Sequence, residues 1–303
     1  MKKNTAPYLA PGHSACVGCG AALAMKLVLE ALGENIILVI PACCWTIIEG
    51  ANLCSCLPKT PVIHTAFETT AVVATGIKTG LEVQGQNEID VVGWAGDGGT
   101  FDIGIQALSS AAEKNVDIMY FCYDNEAYMN TGVQRSGATP CGARTTTTPG
   151  GNILWKKNMP EIVAAHRVPY VATVSLAWPE DLQEKVAKAR TIKGFRHIQI
   201  CSPCPAGWKY EPRYAIKLAR LAVETGIYPV YEIIDGKIIF KAMKPKPGAK
   251  LKPVEEYLKL QGRFRHLKEA NIEEIQKRVV EERITLLKKA GLESPDFSYL
   301  LLD

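Results

Sequence analysis

Two polar stretches, each at the end of an apolar run, carry residue types that bind metals and phosphates. Gly96-Asp97-Gly98-Gly99 ends one run, and Asp124-Asn125 ends the next run along the chain. Carboxylate and amide oxygens are hard ligands that suit Mg²⁺, and glycines allow the backbone to approach phosphate oxygens. An Asp-Gly pair alone is more typical of a turn. With a predicted strand, helix and strand around it, the pattern instead predicts a magnesium ion that bridges a diphosphate.

The cysteines form a second group of residues that could do chemistry. Cys16-Val17-Gly18-Cys19 leads into a helical pattern, whose N-terminus favours thiolate charge. Cys43-Cys44 ends the first apolar run, and Cys201-Ser202-Pro203-Cys204-Pro205 ends a later one. Four thiolates from three loops suit a [4Fe–4S] cluster. The alternatives are a zinc site made from the two Cys-x-x-Cys pairs, although zinc ribbons usually keep such pairs closer together, and unrelated buried thiols.

Several other polar residues have no predicted role. Cys122 lies within an apolar run and is expected to be a core residue. Glu68 lies at the start of a predicted helix, where a surface carboxylate is favoured by the helix dipole. His13 and His64 belong to no motif. The cysteines that remain unassigned are Cys43, Cys54, Cys56, Cys141 and Cys201.

The composition indicates a globular chain and argues against several classes of protein. Of 303 residues, 47% are hydrophobic, which is ample for a sizeable core. The net charge of +4 is mixed along the chain, so no nucleic-acid surface is expected. The apolar runs are too short for a signal peptide or a membrane span, so we expect neither export nor membrane insertion. Ten cysteines in such a chain indicate a reducing cytoplasm.

Apolar runs alternate with helical patterns over residues 21–200, and this order predicts the elements that position the polar stretches. The predicted strands cover residues 36–40, 61–64, 89–94, 116–123, 170–174 and 197–200. The predicted helices cover residues 21–32, 69–83, 102–114, 160–166 and 180–189. Such alternation is typical of an α/β fold with a doubly wound, mostly parallel sheet. Because ligands bind at the carboxyl ends of parallel strands, Asp97 and Asn125 are expected side by side.

Three later segments complete the predicted organisation. Residues 130–155 form a long loop that leaves the predicted diphosphate site, so we expect it to cover that site or to contact a partner. Residues 232–240 predict a hairpin with Asp235-Gly236 as its turn. Residues 272–289 carry apolar residues at helical spacing, and this helix either packs on its own domain or reaches a neighbouring subunit.

A basic, proline-containing stretch suggests where the chain divides. Residues 244–250 are expected to be a solvated linker rather than a binding patch. We therefore predict a domain of residues 1–243, which holds both candidate sites, and an extension of residues 244–303. The extension is expected to contact another subunit.

Taken together, these motifs resemble the β subunit of 2-oxoacid:ferredoxin oxidoreductases, especially the pyruvate type, over nearly the whole chain. The Gly-Asp-Gly stretch with its following Asn is the pattern of thiamine diphosphate enzymes. The other stretches that carry the resemblance are Ala10-Pro11-Gly12-His13-Ser14-Ala15-Cys16-Val17-Gly18-Cys19-Gly20, Asp124-Asn125-Glu126-Ala127-Tyr128-Met129-Asn130-Thr131-Gly132, Ser202-Pro203-Cys204-Pro205-Ala206-Gly207-Trp208 and Pro253-Val254-Glu255-Glu256-Tyr257-Leu258-Lys259-Leu260-Gln261-Gly262-Arg263-Phe264.

The resemblance implies a role for each matching residue. It assigns the ligands of a [4Fe–4S] cluster to Cys16, Cys19, Cys44 and Cys204. It assigns Mg²⁺ to Asp97, Asn125 and the backbone carbonyl of Ala127. It places Gly96, Gly98 and Gly99 along the diphosphate. Asn130 would face both the cofactor and the carboxylate of the substrate.

The resemblance also implies an activity and a set of partners. The expected reaction is the oxidative decarboxylation of a 2-oxoacid, most simply pyruvate to acetyl-CoA and CO₂, with electrons passing through the cluster to ferredoxin. The glutamate that activates thiamine diphosphate would come from an α subunit that carries the pyrimidine-binding half of the site, and not from Glu68. The γ and δ subunits would be ferredoxin-like, and coenzyme A would take the acyl group.

The chain departs from the family pattern at two places near the presumed active site. It has Ala42-Cys43-Cys44-Trp45-Thr46 where the family often has Thr-Gly-Cys-Leu-Glu, and Ala21 where a Glu often follows Cys-Gly. These departures leave oxalate and branched-chain 2-oxoacids open as substrates. Two hypotheses from other classes also stay open: a non-redox thiamine enzyme of the acetolactate synthase type, and a zinc-stabilised scaffold subunit.

Overall fold

The computed structural model describes residues 6–50, 55–240 and 251–292, and eight strands in these ranges form one sheet. The strands are β1 (Ile36–Pro41), β2 (Val62–Thr65), β3 (Asp90–Gly96), β4 (Met119–Asp124), β5 (Tyr170–Ser175), β6 (Arg196–Cys201), β7 (Glu232–Ile234) and β8 (Lys237–Ile239). Their order is β2-β1-β3-β4-β6-β5-β7-β8, and β1 to β6 run parallel. The predicted doubly wound, mostly parallel α/β sheet is therefore confirmed.

Helices cover both faces of the sheet, and this is why the central strands read as continuous apolar runs. One face packs against α1 (Gly20–Leu32), α2 (Cys44–Gly50) and α6 (Pro179–Thr191). The other face packs against α3 (Thr70–Val83), α4 (Ile105–Glu113) and α5 (Met159–Ala164). The remaining helices are α7 (Pro205–Trp208), α8 (Ala215–Glu224), α9 (Val254–Leu258) and α10 (Glu269–Lys289).

The structure corrects the sequence predictions at two element boundaries. The first strand ends at Pro41, one residue after its predicted end, and Cys44 begins α2, a helix that was not predicted. The helix expected over residues 102–114 is preceded by a π-helical turn, Gly98–Asp102, and α4 begins only at Ile105. In this turn the Gly99 carbonyl oxygen lies 2.0 Å from the position that a Cβ on Gly104 would occupy, so only glycine fits between the turn and the helix.

The C-terminal part of the described chain adds an edge to the sheet and a long helix to its surface. Strands β7 and β8 form the predicted hairpin, and Asp235 and Gly236 both have positive φ, as a type I′ turn requires. Helix α10 places Val280, Leu286 and Leu287 in the core of its own chain. Of the two alternatives for this helix, packing on its own domain is therefore the one observed.

Some predictions fall on residues that the structure does not describe. Cys54 and the basic stretch 244–250 lie outside the described residues, so the proposed domain boundary at residue 243 stays a prediction. The subunit contact of the extension also stays a prediction. Within the described ranges, none of the helices combines the length and apolar character needed to cross a bilayer.

Candidate functional site

The parallel pairing of β3 and β4 brings together the two polar stretches that follow them. Gly96 is paired with Tyr123, so Asp97 and Asn125 leave the sheet at the same edge. Both side chains are buried, and the Asn125 backbone N–H donates to Asp97 Oδ1 at 3.3 Å. The hydroxyl of Ser136, from the long loop, donates to Asp97 Oδ2. The structure thus places these two predicted metal ligands side by side.

A third oxygen, the backbone carbonyl of Ala127, lies next to the Asn125 side chain. When the Asn125 side-chain oxygen points inward, it lies 2.8 Å from Asp97 Oδ1 and 3.0 Å from the carbonyl oxygen of Ala127. Adjacent ligands of an octahedral Mg²⁺ ion are separated by about 2.9 Å, because each metal–oxygen bond is about 2.1 Å long. Without a cation the amide is better reversed, so that its NH₂ group donates to both oxygens. The distances from the Asn125 oxygen to the other two predicted ligands are therefore those of adjacent ligands of this ion.

The electrostatics of Asp97 also fit a cation. Burial, followed by the nearby carboxylate of Asp124, raises the pKa of Asp97 well above its usual range, although the Ser136 hydrogen bond acts in the opposite direction. A buried carboxylate in this environment holds its charge poorly by itself. A bound divalent ion would supply the compensating positive charge.

The glycines of the turn line a cavity of about 160 Å³. Other predicted site residues on its wall are Asp97, Asn125, Ala127, Asn130 and Cys44. A Cβ on Gly98 would lie 2.5 Å from the Tyr128 ring, and one on Gly99 would lie 3.3 Å from the Phe67 ring. These glycines are therefore needed for close packing around the cavity, in addition to any contact with phosphate.

The predicted cluster ligands line a second cavity of about 200 Å³. Its cysteines are Cys16, Cys19, Cys44 and Cys204. Cys19 and Cys204 are the N-cap residues of α1 and α7, so both thiols lie at helix N-termini, where the helix dipole favours negative charge. The two helix starts touch, since the Gly20 N–H donates to the Pro203 carbonyl at 3.1 Å.

The charge balance in this second cavity favours a metal centre. Burial raises the pKa of Cys204 to about 11, and the thiolates of Cys19 and Cys16 add to the effect. Burial, then Cys43, then Cys204, likewise raise the pKa of Cys44. Thiols that share a cavity in this way cannot all ionise unless a metal compensates their charge.

The cysteine cavity lies next to the glycine cavity. Among residues 6–50, 55–240 and 251–292, no three His, Cys, Asp or Glu side chains are grouped closely enough to hold one metal ion. The two cavities also share part of their walls, namely Cys44, Asn125 and Asn130.

The other cysteines lie elsewhere. Cys122 is buried in the core, as predicted. Cys201 ends β6 and is buried in a third apolar cluster. Cys56 donates through its thiol to the Ile48 carbonyl at 3.4 Å. Cys43 lines the glycine cavity, and Cys141 lines neither of the two cavities.

The two histidines and Glu68 are not part of either cavity wall. His64 lies 2.8 Å from Glu49, and His13 Nδ1 accepts from the Ala15 N–H at 3.3 Å. Glu68 is exposed, as expected for a surface carboxylate. The structure gives these residues local partners or solvent but no place among the predicted ligands.

Sequence reasoning missed a buried ionic network directly behind the metal site. The Lys156 ammonium lies 2.5 Å from Asp124 and 3.0 Å from Glu126, and Arg263 lies 2.5 Å from the other oxygen of Glu126. Burial opposes ionisation of Glu126, but Lys156 and Arg263 hold its pKa below the usual value. Glu126 also has a left-handed backbone, with φ of 68°. The network therefore fixes a strained turn between Asn125 and Asn130.

The long loop after Asn130 packs over the metal site as a cover. Besides the Ser136 contact, Thr139 donates to the Glu126 carbonyl at 2.8 Å, and Asn152 donates to the Thr139 carbonyl at the same distance. At its end the loop exposes apolar side chains, with Ile153 85% accessible and Leu154 52% accessible. The loop thus encloses Asp97 on one side and offers an apolar surface on the other.

Comparison with known proteins agrees with this geometry. Residues 52–200 match the family model described as thiamine pyrophosphate enzyme, C-terminal TPP binding domain. The fold is similar to that of 2-oxoglutarate:ferredoxin oxidoreductase from Magnetococcus marinus, with a TM-score of 0.58, 23% identity and coverage of 72% of this chain and 81% of that one. The protein is therefore of the class that carries a thiamine diphosphate-binding domain.

Curated relatives define the family more closely. The chain is 49% identical to ketoisovalerate oxidoreductase subunit VorB of Pyrococcus furiosus, over 95% of this chain and 96% of the relative. It is 48% identical to pyruvate synthase subunit PorB of Methanothermobacter marburgensis, over 92% of this chain and 97% of the relative. The chain belongs to the β subunits of the 2-oxoacid:ferredoxin oxidoreductases.

Proposed function

We propose that this β subunit holds thiamine diphosphate, Mg²⁺ and a [4Fe–4S] cluster in an enzyme that converts pyruvate to acetyl-CoA and CO₂ and reduces ferredoxin. The observation that carries the proposal is the wall shared by the two cavities. Cys44, Asn125 and Asn130 line both of them. An electron donor and an electron acceptor bound in these cavities would be neighbours, which suits transfer of one electron at a time.

Each predicted ligand has a specific task in this proposal. Asp97, Asn125 and the Ala127 carbonyl would hold Mg²⁺ and, through it, the diphosphate. When bound, thiamine diphosphate supplies the chemistry by which a 2-oxoacid loses CO₂. Asn130 lies on the exposed rim of both cavities, where its amide could donate to the carboxylate of the substrate. The covering loop would keep water away from Asp97.

The cluster assignment rests on the second cavity. Cys16, Cys19, Cys44 and Cys204 would be its four ligands. Backbone N–H groups at the starts of α1 and α7 would donate to ligand sulfurs, and such hydrogen bonds tune the reduction potential of a cluster. A cluster that loses one electron to ferredoxin is ready to accept the next.

The substrate and the partners are the finer part of the proposal. Pyruvate is the first candidate substrate, because some relatives are named pyruvate synthases. 2-Oxoisovalerate is the second candidate, because the relatives at 49–51% identity are named ketoisovalerate oxidoreductases. The partners would be an α subunit with the pyrimidine-binding half of the site, ferredoxin-like γ and δ subunits, ferredoxin and coenzyme A. A reducing cytoplasm would suit the ten cysteines.

The test is an anaerobic assay of the chain alone and of the chain assembled with its partner subunits. Reduction of a viologen dye is followed with pyruvate, 2-oxoisovalerate and oxalate in turn, with and without coenzyme A. We expect turnover only in the assembled enzyme, and faster with pyruvate than with 2-oxoisovalerate. Turnover by the isolated chain would refute its role as a subunit. The opposite order of rates, or turnover of oxalate, would refute the choice of substrate.

A metal analysis of the same anaerobic preparation tests the cluster separately. Iron and acid-labile sulfide in equal amounts are expected, at about four of each per chain for a [4Fe–4S] cluster. Zinc in their place would support the scaffold alternative. Thiamine diphosphate without iron would support a non-redox thiamine enzyme.

A further inference from the structure

Cys43 is a buried thiol to which no role has been assigned above, although it lies at the junction of the two cavities. It is 8% exposed and lines the glycine cavity together with Gly96, Asp97 and Asn130. Its neighbour in the chain, Cys44, lines both cavities. Cys43 itself is absent from the wall of the cysteine cavity. Its side chain therefore faces the cofactor side of the shared wall.

The backbone at Cys43 is fixed by Thr46. The Thr46 hydroxyl accepts from the Cys43 N–H at 3.1 Å and donates to the Pro41 carbonyl at 3.0 Å. The Cys43 carbonyl accepts from the Thr46 N–H at 3.1 Å. These three bonds close the turn between β1 and α2, so the direction of the Cys43 side chain is set by the fold.

The Tyr123 side chain lies beside this thiol. Cys43 and Tyr123 line the same wall of the glycine cavity, and the Tyr123 ring stacks on Trp94 at 5.8 Å between centroids. The Tyr123 hydroxyl would lie 3.2 Å from a Cβ on Gly96. The pair therefore connects the end of β1 with the start of the metal-binding turn through rigid aromatic packing.

We propose that the Cys43 thiol and the Tyr123 hydroxyl form a positioning pair that contacts bound thiamine diphosphate on the wall between Asp97 and the cysteine cavity. This inference rests on the proposed function. At position 43, where the family often has glycine, the Cys43 side chain fills part of the wall of the glycine cavity. The cofactor would therefore pack against the Cys43 sulfur. Cys43 is thus a residue of the cofactor site and not a fifth ligand of the cluster.

The first experiment measures whether the cofactor shields this thiol. The assembled complex, depleted of cofactor, is treated with methyl methanethiosulfonate in the presence of Mg²⁺, with and without thiamine diphosphate, and modification at each cysteine is followed by mass spectrometry. We expect thiamine diphosphate to slow modification of Cys43 and to leave Cys141, which lines neither cavity, unchanged. Equal rates at Cys43 under both conditions would overturn the proposal.

The second experiment uses variants and does not depend on the reactivity of a buried thiol. Cys43→Ala and Tyr123→Phe each remove one polar group of the pair from the cavity wall, so thiamine diphosphate should bind about five- to tenfold more weakly, as expected for the loss of one polar contact and its packing. Cys43→Ser should recover part of the affinity. Cys122→Ala, on the opposite face of β4, is the matched control and should bind as the wild type does.

Two further readouts separate this inference from its alternatives. Iron content should stay at the wild-type value in Cys43→Ala, and loss of iron would make Cys43 a cluster ligand instead. Wild-type affinity in both Cys43→Ala and Tyr123→Phe would refute the positioning pair. A wild-type complex that binds no thiamine diphosphate at all would refute the proposed function itself.

Discussion

At the scale of single residues, the proposed metal site depends on one charge. Of the three oxygen groups that converge below the glycine turn, only Asp97 can carry a formal negative charge, and it is completely buried. The amide and the carbonyl contribute dipoles but no charge. Affinity for a hard divalent cation depends strongly on ligand charge, so Asp97 should dominate binding.

Replacement of this charge gives the first prediction. In Asp97→Asn the complex should bind Mg²⁺ and thiamine diphosphate at least about tenfold more weakly, since hard cations lose affinity with each lost ligand charge. Calorimetry of the assembled enzyme measures the affinity. Asp90→Asn, at the opposite end of the same strand, is the control, because Asp90 pairs with Arg190 far from the cavity. Wild-type affinity in Asp97→Asn would show that the turn binds no metal.

The cysteines give the second prediction at this scale. Cys16→Ser, Cys19→Ser and Cys204→Ser should each lower the iron-to-protein ratio, because each removes a thiolate from the shared cavity. Cys122→Ser should keep its iron, since this thiol lies in the core of the sheet. Iron analysis and visible absorbance measure the outcome. Unchanged iron in Cys204→Ser would mean that the ligands must be sought among the other cysteines.

At the scale of elements, the sequence predicted the strands of the parallel sheet well but did not predict helices α2, α7 and α8. Strands buried on both faces leave continuous apolar runs, and their ends carry the metal ligands, so both could be found together. Helices α2 and α7 have only 7 and 4 residues, too few for a visible repeat. Helix α8 does have an apolar face, since Leu218, Leu221 and Ala222 are buried at helical spacing. This helix could therefore have been predicted from the sequence.

The buried network could not be predicted, for a different reason. Lys156 lies in a loop and Arg263 in a short 3₁₀ helix, both far from Glu126 in the chain, and charged residues in such segments are usually solvated. Only the fold brings them to one place. Arg263 also lies over the Trp208 ring, with its guanidinium carbon 4.2 Å from the centroid. It joins the C-terminal segment to the turn that carries Asn125 and Asn130.

Removal of this link gives the third prediction. Arg263→Met should destabilise the protein by about 3–5 kcal/mol, because it leaves Glu126 buried with only part of its compensating charge. Thermal denaturation of the assembled enzyme measures the loss, and weaker cofactor binding should accompany it. The control is Lys259→Ala, whose ion pair with Glu255 is exposed and should contribute at most about 1 kcal/mol. Equal melting temperatures for the two variants would contradict the assigned role of the network.

At the scale of the whole molecule, the sheet buries a histidine whose protonation is coupled to folding. His197 lies in β6, fully buried beside the Tyr120 ring, and burial lowers its pKa to about 3. In the unfolded chain, His197 has the ordinary histidine pKa of about 6.5, so it binds a proton at pH values at which the folded chain keeps it neutral. The contribution of neutral His197 to the free energy of unfolding is therefore complete above pH 6.5, and it is lost as the pH falls from there towards 3.

This coupling gives the fourth prediction. Between pH 7 and pH 5 the wild type should lose on the order of 2 kcal/mol of unfolding free energy through His197. His197→Phe keeps an aromatic ring but cannot titrate, so its stability should change less over the same range. Denaturant melts at several pH values provide the comparison. Parallel pH profiles for the two proteins would show that another group is responsible.

The arrangement of the cysteine cavity has a consequence for how the subunit matures. Its thiols come from the segment before α1, the turn after β1 and the loop after β6, which are far apart along the chain. During synthesis, Cys16 and Cys19 leave the ribosome long before Cys204, and the four thiols meet only when β6 has joined the sheet. If these four thiols hold a cluster, its complete ligand set is available only after β6 has joined the sheet. Once inserted, a cluster would connect the segments that follow β1 and β6, which are the second and fifth strands in the sheet order, as a cross-link does.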